Sequence, residues 1–188
     1  MTSSALQAYA QSVLDHIPWE HWAVMAMVSL AWTVILLIRK KCSVNGAMAW
    51  GLTVFMGLFL LDTAVGIRYL GLLKHSTGHN LTLNFSRIFQ KSGQGPVESL
   101  CNVAVFVPFG LFLSEFLASA KRLRLGRRLG LVTLVGFGLS LIIECLQLLL
   151  HVGFFELTDL VMNTLGAFIG DVLAWLGRTL LKRMIKDK

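Results

Sequence analysis

Charged residues are scarce in this chain, and their scarcity excludes an ordinary soluble domain. Only 14% of the 188 residues are Asp, Glu, Lys or Arg, whereas 55% are hydrophobic. The mean hydropathy is +0.70. A soluble domain covers its surface with polar side chains, and about a quarter of its residues are usually charged. The composition therefore predicts a membrane protein.

Cysteine is also rare, and its spacing excludes the common cysteine-based sites. The three residues, Cys42, Cys101 and Cys145, form no CxxC pair, and they fall at the end of or inside apolar segments. An odd number without ligand spacing indicates buried small side chains rather than a disulfide framework. The sequence thus indicates no metal site, and it leaves any cofactor unspecified.

Basic residues are absent before Arg39, which argues against a cleaved secretory signal with a basic head. The formal net charge of +7 could suit nucleic acid. However, Lys and Arg fall in short clusters beside apolar runs, at 39–41, 121–128 and 182–188. Clusters in such places set membrane topology. We therefore expect no nucleic-acid partner.

Five stretches approach the length of about 20 apolar residues that a helix needs to cross a bilayer. The basic clusters then follow the first, third and fifth spans, so the positive-inside rule predicts an external N-terminus and a cytoplasmic C-terminus. With no repeat evident, we predict a single all-α membrane bundle over residues 1–188. The predicted spans are 17–38, 44–65, 99–117, 129–150 and 158–180.

The fourth predicted span holds an acid within an apolar run. Ser140, Glu144 and Gln147 stand at i, i+4 and i+7, which places them on one stripe of a helix. A carboxylate at the bilayer centre costs about 2.5–3.5 kcal/mol on insertion scales. We therefore expect Glu144 to have a partner, a water-filled cavity or a function.

The fifth predicted span holds a matching stripe. Asp159 and Asn163 are four residues apart, and Gly166 and Gly170 continue the stripe as a ridge that permits close helix contact. We expect the two stripes to face each other. In the predicted topology both lie in the outer half of the membrane, as does Asn102 at the start of the third span. The sequence thus predicts a polar pocket open to the external face.

The two acids are the candidate catalytic residues. Glu144 and Asp159 so close together need a cation, a proton or water, and either acid suits a general base or a proton carrier. Arg87, in the external loop, is the candidate counter-charge and a candidate ligand-binding residue. Interhelical hydrogen bonding, worth about 0.6 kcal/mol each on average, is the alternative role for the other polar residues. The remaining candidate ligand-binding residues are Asn102, Ser140, Gln147 and Asn163.

Two further features concern the inner boundary and the third span. Asp171 lies deeper in the fifth span, where it could pair with Arg or Lys or accept a hydrogen bond from an indole such as Trp50. Pro108 frees a backbone carbonyl in the third span, and Gly110 beside it relieves packing. We therefore predict a local opening of that helix.

In their order along the chain, the polar motifs resemble the VanZ-like family of bacterial membrane proteins. The resemblance covers roughly residues 80–180. Gly153 and Thr158 depart from it, because many members have an arginine and an acid there. The motifs are Asn102-x-x-x-Phe106-x-Pro108-x-Gly110, Ser140-x-x-x-Glu144-x-x-Gln147 and Asp159-x-x-x-Asn163-Thr164-x-Gly166-Ala167-x-x-Gly170.

The resemblance implies a multi-pass protein of the bacterial cytoplasmic membrane. From the founding member it implies low-level resistance to the lipoglycopeptide teicoplanin, without a settled biochemical activity. The leading hypothesis is that the outer pocket binds an amphipathic ligand, either a lipid-linked cell-wall precursor or a lipoglycopeptide. Membrane lipids are expected partners, and a homo-oligomer stays open. The alternatives are a membrane enzyme acting on a lipid headgroup and a proton-coupled transporter or flippase.

Overall fold

The computed structural model describes residues 11, 15, 17–39, 42–70, 81–82, 94–120 and 123–186. Most of this part of the chain is helical. In chain order its elements are α1 (Trp19–Ile38), α2 (Val44–Leu61), a π-helix (Asp62–Gly66), α3 (Ile67–Tyr69), β1 (Leu81–Thr82), α4 (Gln94–Ala120), α5 (Leu125–Leu149), β2 (Phe155–Glu156) and α6 (Leu157–Lys186).

Five helical segments are long and apolar enough to cross a membrane, which confirms the predicted all-α bundle. The third and fifth extend beyond the predicted bounds. A helix satisfies its backbone hydrogen bonds internally, so it need not end where the apolar run ends. The five segments are Trp19–Ile38, Val44–Gly66, Pro96–Ala120, Leu125–Leu149 and Leu157–Lys186.

The end of α2 continues further than its hydropathy predicts. The chain passes through the π-helix Asp62–Gly66 into the single turn Ile67–Tyr69. In a π-helix each backbone N–H bonds to the carbonyl five residues earlier, and single π-turns often occur at functional sites. The continuation places Arg68 on a helix rather than in the predicted loop. At the same end, α1 is joined to the π-helix by a contact of 2.9 Å between His21 Nδ1 and Asp62 Oδ1.

The extensive contact between α4 and α6 depends on glycine. A Cβ at Gly166 would collide with the carbonyl of Val103, and one at Gly170 would collide with that of Val107. Gly110 of α4 lies equally close to the backbone of Ala167. This packing confirms the predicted small-residue ridge on α6.

The predicted opening of α4 at Pro108 is wrong. The helix continues without interruption from Gln94 to Ala120. The turn around Pro108 is the part of α4 that packs against Ala167 and Gly170. This contact holds the backbone in place, which leaves no room for a local opening.

The core lies where α2, α4, α5 and α6 meet, and the outer surface of the bundle is also apolar. Leu134 is 64% exposed and Ile142 54% exposed. Such a surface suits lipid rather than water. The buried apolar side chains include Leu60, Phe106, Phe109, Leu113, Val132 and Ile143.

Charge divides the two ends of the bundle. One end, here the basic end, holds the start of α5 with Arg124 and Arg127, and the end of α6 with Arg183 and Lys186. The other, the acidic end, holds the end of α5 and the start of α6. That the basic end faces the cytoplasm stays a prediction from the positive-inside rule.

Candidate functional site

The two polar stripes meet between α5 and α6. The side-chain amide of Asn163 donates a hydrogen bond to Ser140 Oγ over 2.9 Å. Ser140 is fully buried and Asn163 is 5% exposed. This contact confirms that the two stripes face each other.

Glu144 lies one helical turn nearer the acidic end than Ser140. The connection between α5 and α6 covers it. It is 2% exposed, and its Oε2 accepts a hydrogen bond of 2.8 Å from the backbone N–H of Glu156. Glu156 belongs to β2, which pairs in parallel with β1 through Leu81↔Phe155 and Thr82↔Glu156. The strand pair thus fixes the backbone that caps Glu144.

Three charged side chains act on Glu144. Asp159 and Glu156 repel its carboxylate, and Arg68 attracts it. We call Arg68, Glu144, Glu156 and Asp159 the acidic-end cluster. It confirms that Glu144 and Asp159 lie close enough to interact, and it supplies a cation that the sequence analysis did not assign.

The guanidinium of Arg68 lies against Gly153. A Cβ at Gly153 would lie 3.5 Å from Arg68 Nη1 and 3.3 Å from Gln147 Cβ. Gly153 is one of the departures from the resembled motif. The Arg68 guanidinium from α3 therefore lies beside the position where many members of the resembled family have an arginine.

The other residues predicted for this site fall in different places. Gln147 donates a 3.0 Å hydrogen bond to the carbonyl of Ala64 in the π-helix, so it joins α5 to that turn. Asn102 is half-buried on α4. Arg87, the predicted counter-charge, lies outside the described residues.

Arg68 and Asn163 each have a buried polar atom with unused hydrogen-bonding capacity. Arg68 Nε is a donor without an acceptor, and Asn163 Oδ1 is an acceptor without a donor, among the residues described. Leaving such an atom unsatisfied costs about 1–3 kcal/mol. In native proteins such atoms are few, and a bound water or ion is one explanation for them.

A second polar cluster, at the basic end, was not predicted as a unit. Arg128 Nε donates to Asp171 Oδ1 over 2.9 Å, and Ser114 Oγ donates to the same oxygen. Arg178 donates to Ser114 Oγ over 3.0 Å and also to Glu115. Of the alternatives for Asp171, the structure thus shows the pairing with a basic residue. We call these five residues the basic-end cluster.

A family model described as VanZ/LLP1 matches residues 52–179, more than half of the chain. The chain belongs to the VanZ/LLP1 family. This confirms the resemblance drawn from the three motifs. The match also includes α3 with Arg68 and all five residues of the basic-end cluster. No curated protein and no solved structure gives a significant match.

Within the described part of this VanZ/LLP1 chain, the acidic-end cluster offers three carboxylates and the guanidinium of Arg68. Among the described residues, no three His, Cys, Asp or Glu side chains are grouped so that they could hold a metal ion. An anion would find its donor in Arg68, and a hydroxyl or amide N–H would find an acceptor in Asn163 Oδ1. The arrangement thus offers a hydrogen-bond donor at Arg68 and an acceptor at Asn163.

Proposed function

We propose that this VanZ/LLP1 chain binds the headgroup of an amphipathic, lipid-linked ligand at the acidic-end cluster. The observation that carries the proposal is the Arg68 guanidinium, placed against Gly153 with Nε buried and unsatisfied. A phosphate or carboxylate of the ligand would accept a charge-assisted hydrogen bond there. It would also offset the desolvation of the cation.

Asn163 narrows the ligand class. Its buried Oδ1 needs a donor, and a sugar hydroxyl or an amide N–H provides one. Lipid-linked cell-wall precursors join a sugar to a phosphate, and a lipoglycopeptide such as teicoplanin carries sugars, amides and an acyl chain. The lipid part would remain in the bilayer beside the apolar outer surface of the bundle.

Access to the cluster requires movement of the connection between α5 and α6. Glu144 and Asn163 are almost fully buried, whereas Asp159 is half-buried. The connection comprises residues 150–156 and is held over Glu144 by the bond from the Glu156 backbone. We propose that the ligand displaces this connection when it binds.

The predicted topology supports an external site. If the basic end faces the cytoplasm of a bacterial cell, the acidic-end cluster opens on the outer leaflet of the cytoplasmic membrane. Cell-wall precursors and glycopeptide antibiotics are both met on that side. The location thus fits a role in the cell envelope and in teicoplanin resistance.

Proton-coupled transport is the second candidate function. Glu144 and Asp159 interact within a membrane span, as carboxylates of proton relays do. In that case lipid or drug movement in vesicles should depend on a pH gradient. A headgroup-processing enzyme would instead use Glu144 or Asp159 as general base, and it would release a product that a passive binder does not.

If the ligand is teicoplanin, variants of the acidic-end cluster should lose teicoplanin resistance. In a susceptible bacterial host, expression of the wild-type chain is expected to raise the inhibitory concentration of teicoplanin. Arg68→Gln should return it to the vector level, because it removes the cation that holds the anionic headgroup. Glu144→Gln should do the same, because it removes a carboxylate that attracts Arg68 and so helps to hold the guanidinium in the cluster. The measurement is a susceptibility titration with membrane abundance determined for each variant.

Glu115→Gln is the matched control, because Glu115 is a half-exposed acid at the opposite end of the bundle. It should leave resistance unchanged. If Glu144→Gln and Arg68→Gln are as resistant as the wild type at equal abundance, the cluster does not mediate resistance. A wild type that confers none would remove teicoplanin from the proposal.

A further inference from the structure

An apolar groove lies on the outside of the bundle between α5 and α6, in the half nearest the basic end. A Cβ added at Gly130 would meet no other atom within 4 Å, so the floor of the groove is open. Leu134, Phe137 and Phe168 are exposed along its sides. The lining residues include Leu129, Gly130, Leu134, Phe137, Thr164 and Phe168.

Positive charge lies at the mouth of this groove. Arg124 and Arg127 are both exposed at the start of α5. Arg127 precedes Gly130 by three residues, which places it on the same helix face, about 4.5 Å further along the axis. On α6, the exposed Trp175 follows Phe168 by seven residues. Tryptophan is enriched at the headgroup level of membranes.

The dimensions of the groove suit one leaflet. Leu129 and Phe137 are eight residues apart on α5, a rise of about 12 Å. Half of the hydrocarbon core is about 15 Å thick. An acyl chain could thus lie in the groove while its headgroup remains level with Arg127.

We propose that this groove binds one anionic glycerophospholipid from the leaflet at the basic end, with an acyl chain along Gly130 and Leu134 and the phosphate at Arg127. The apolar lining selects for a hydrocarbon chain. The arginines at the mouth select for negative charge, since a basic residue near the membrane surface favours anionic lipid. The site is separate from the acidic-end cluster and does not depend on its proposed ligand.

The test is native mass spectrometry of the full chain taken from nanodiscs with equal amounts of phosphatidylglycerol and phosphatidylcholine. The wild type should retain phosphatidylglycerol in preference. Arg127→Gln should lower that retention about fivefold. Gly130→Leu should abolish it, because the leucine side chain fills the groove. Gly177→Leu is the matched control, since a Cβ at Gly177 also meets nothing within 4 Å and that residue does not line the groove.

Equal retention of the two lipids by the wild type would overturn the proposal, as would equal phosphatidylglycerol retention in all four proteins. A wild-type dimer that Gly130→Leu dissociates would also overturn it, because the groove would then hold a second copy of the chain. Thermal unfolding in detergent checks that each variant is folded. Arg127 is exposed, so Arg127→Gln still decides the outcome if Gly130→Leu does not fold.

Discussion

Replacing Asp171 with asparagine is expected to destabilise the folded bundle by about 3–5 kcal/mol, because it leaves the Arg128 guanidinium buried without its carboxylate. Asp171 is fully buried and the side chain of Arg128 is 6% exposed. The substitution preserves shape, so the loss reports charge rather than packing. The measurement is the free energy of unfolding in detergent, with denaturant titration.

A double variant distinguishes the ion pair from a general sensitivity of this region. Arg128→Met together with Asp171→Asn should be more stable than Asp171→Asn alone, because no unpaired buried charge remains. Glu115→Gln should cost no more than about 1 kcal/mol, since the pair that Glu115 forms with Arg178 is partly exposed. If Asp171→Asn lowers the free energy of unfolding no more than Glu115→Gln does, Arg128 and Asp171 do not form a buried ion pair.

Replacing Gly170 with valine is expected to leave little folded protein. A Cβ at this position would collide with the carbonyl of Val107 and the backbone N of Leu111. Backbone atoms cannot rotate away as a flexible side chain can, so α4 and α6 would have to separate. Overpacking in a core usually costs about 1–3 kcal/mol, and we expect the upper part of that range or more here.

Gly177→Val is the control for this prediction. Gly177 is on the same helix, yet a Cβ there would meet no atom within 4 Å. Size-exclusion chromatography and thermal unfolding in detergent should show wild-type behaviour for Gly177→Val, and loss of the folded peak for Gly170→Val. Equal stability of the two variants would mean that α4 and α6 do not approach each other at Gly170.

The sequence predicted the spans and the two polar stripes because both depend on local patterns. The length of an apolar run determines whether a helix can cross the bilayer. Spacings of three and four residues determine which side chains share a face. Ser140 and Asn163 could therefore be assigned to facing stripes, and the hydrogen bond between them confirms that assignment.

Contacts between distant residues could not be predicted in the same way. Hydropathy ends the second span near residue 65, but the π-helix and α3 continue it and place Arg68 where its charge acts on Glu144. A helix can continue past an apolar run because its backbone bonds are internal. The signal that could have found Arg68 was its place as a basic residue directly after a span, on the side where the positive-inside rule expects few.

The basic-end cluster illustrates the same limit. Arg128 and Asp171 are 43 residues apart and belong to different helices. The sequence showed that Asp171 needs a partner in the membrane, but it placed Arg128 in a basic cluster outside the predicted span, and no local spacing identifies the pair. At Pro108 the local pattern gave a wrong prediction. Proline favours an opening of the helix, but α4 packs tightly against α6 at this turn and stays helical.

The central claim is that the acidic-end cluster holds a ligand headgroup, and the mass of the retained ligand tests it most directly. Native mass spectrometry of protein released from bacterial membranes should compare the wild type and Glu115→Gln with Glu144→Gln, Asp159→Asn and Arg68→Gln. We expect a defined lipid-linked species on the first two proteins and its loss from the other three. If the wild type carries only bulk phospholipid, in the same amounts as the cluster variants, the claim is contradicted.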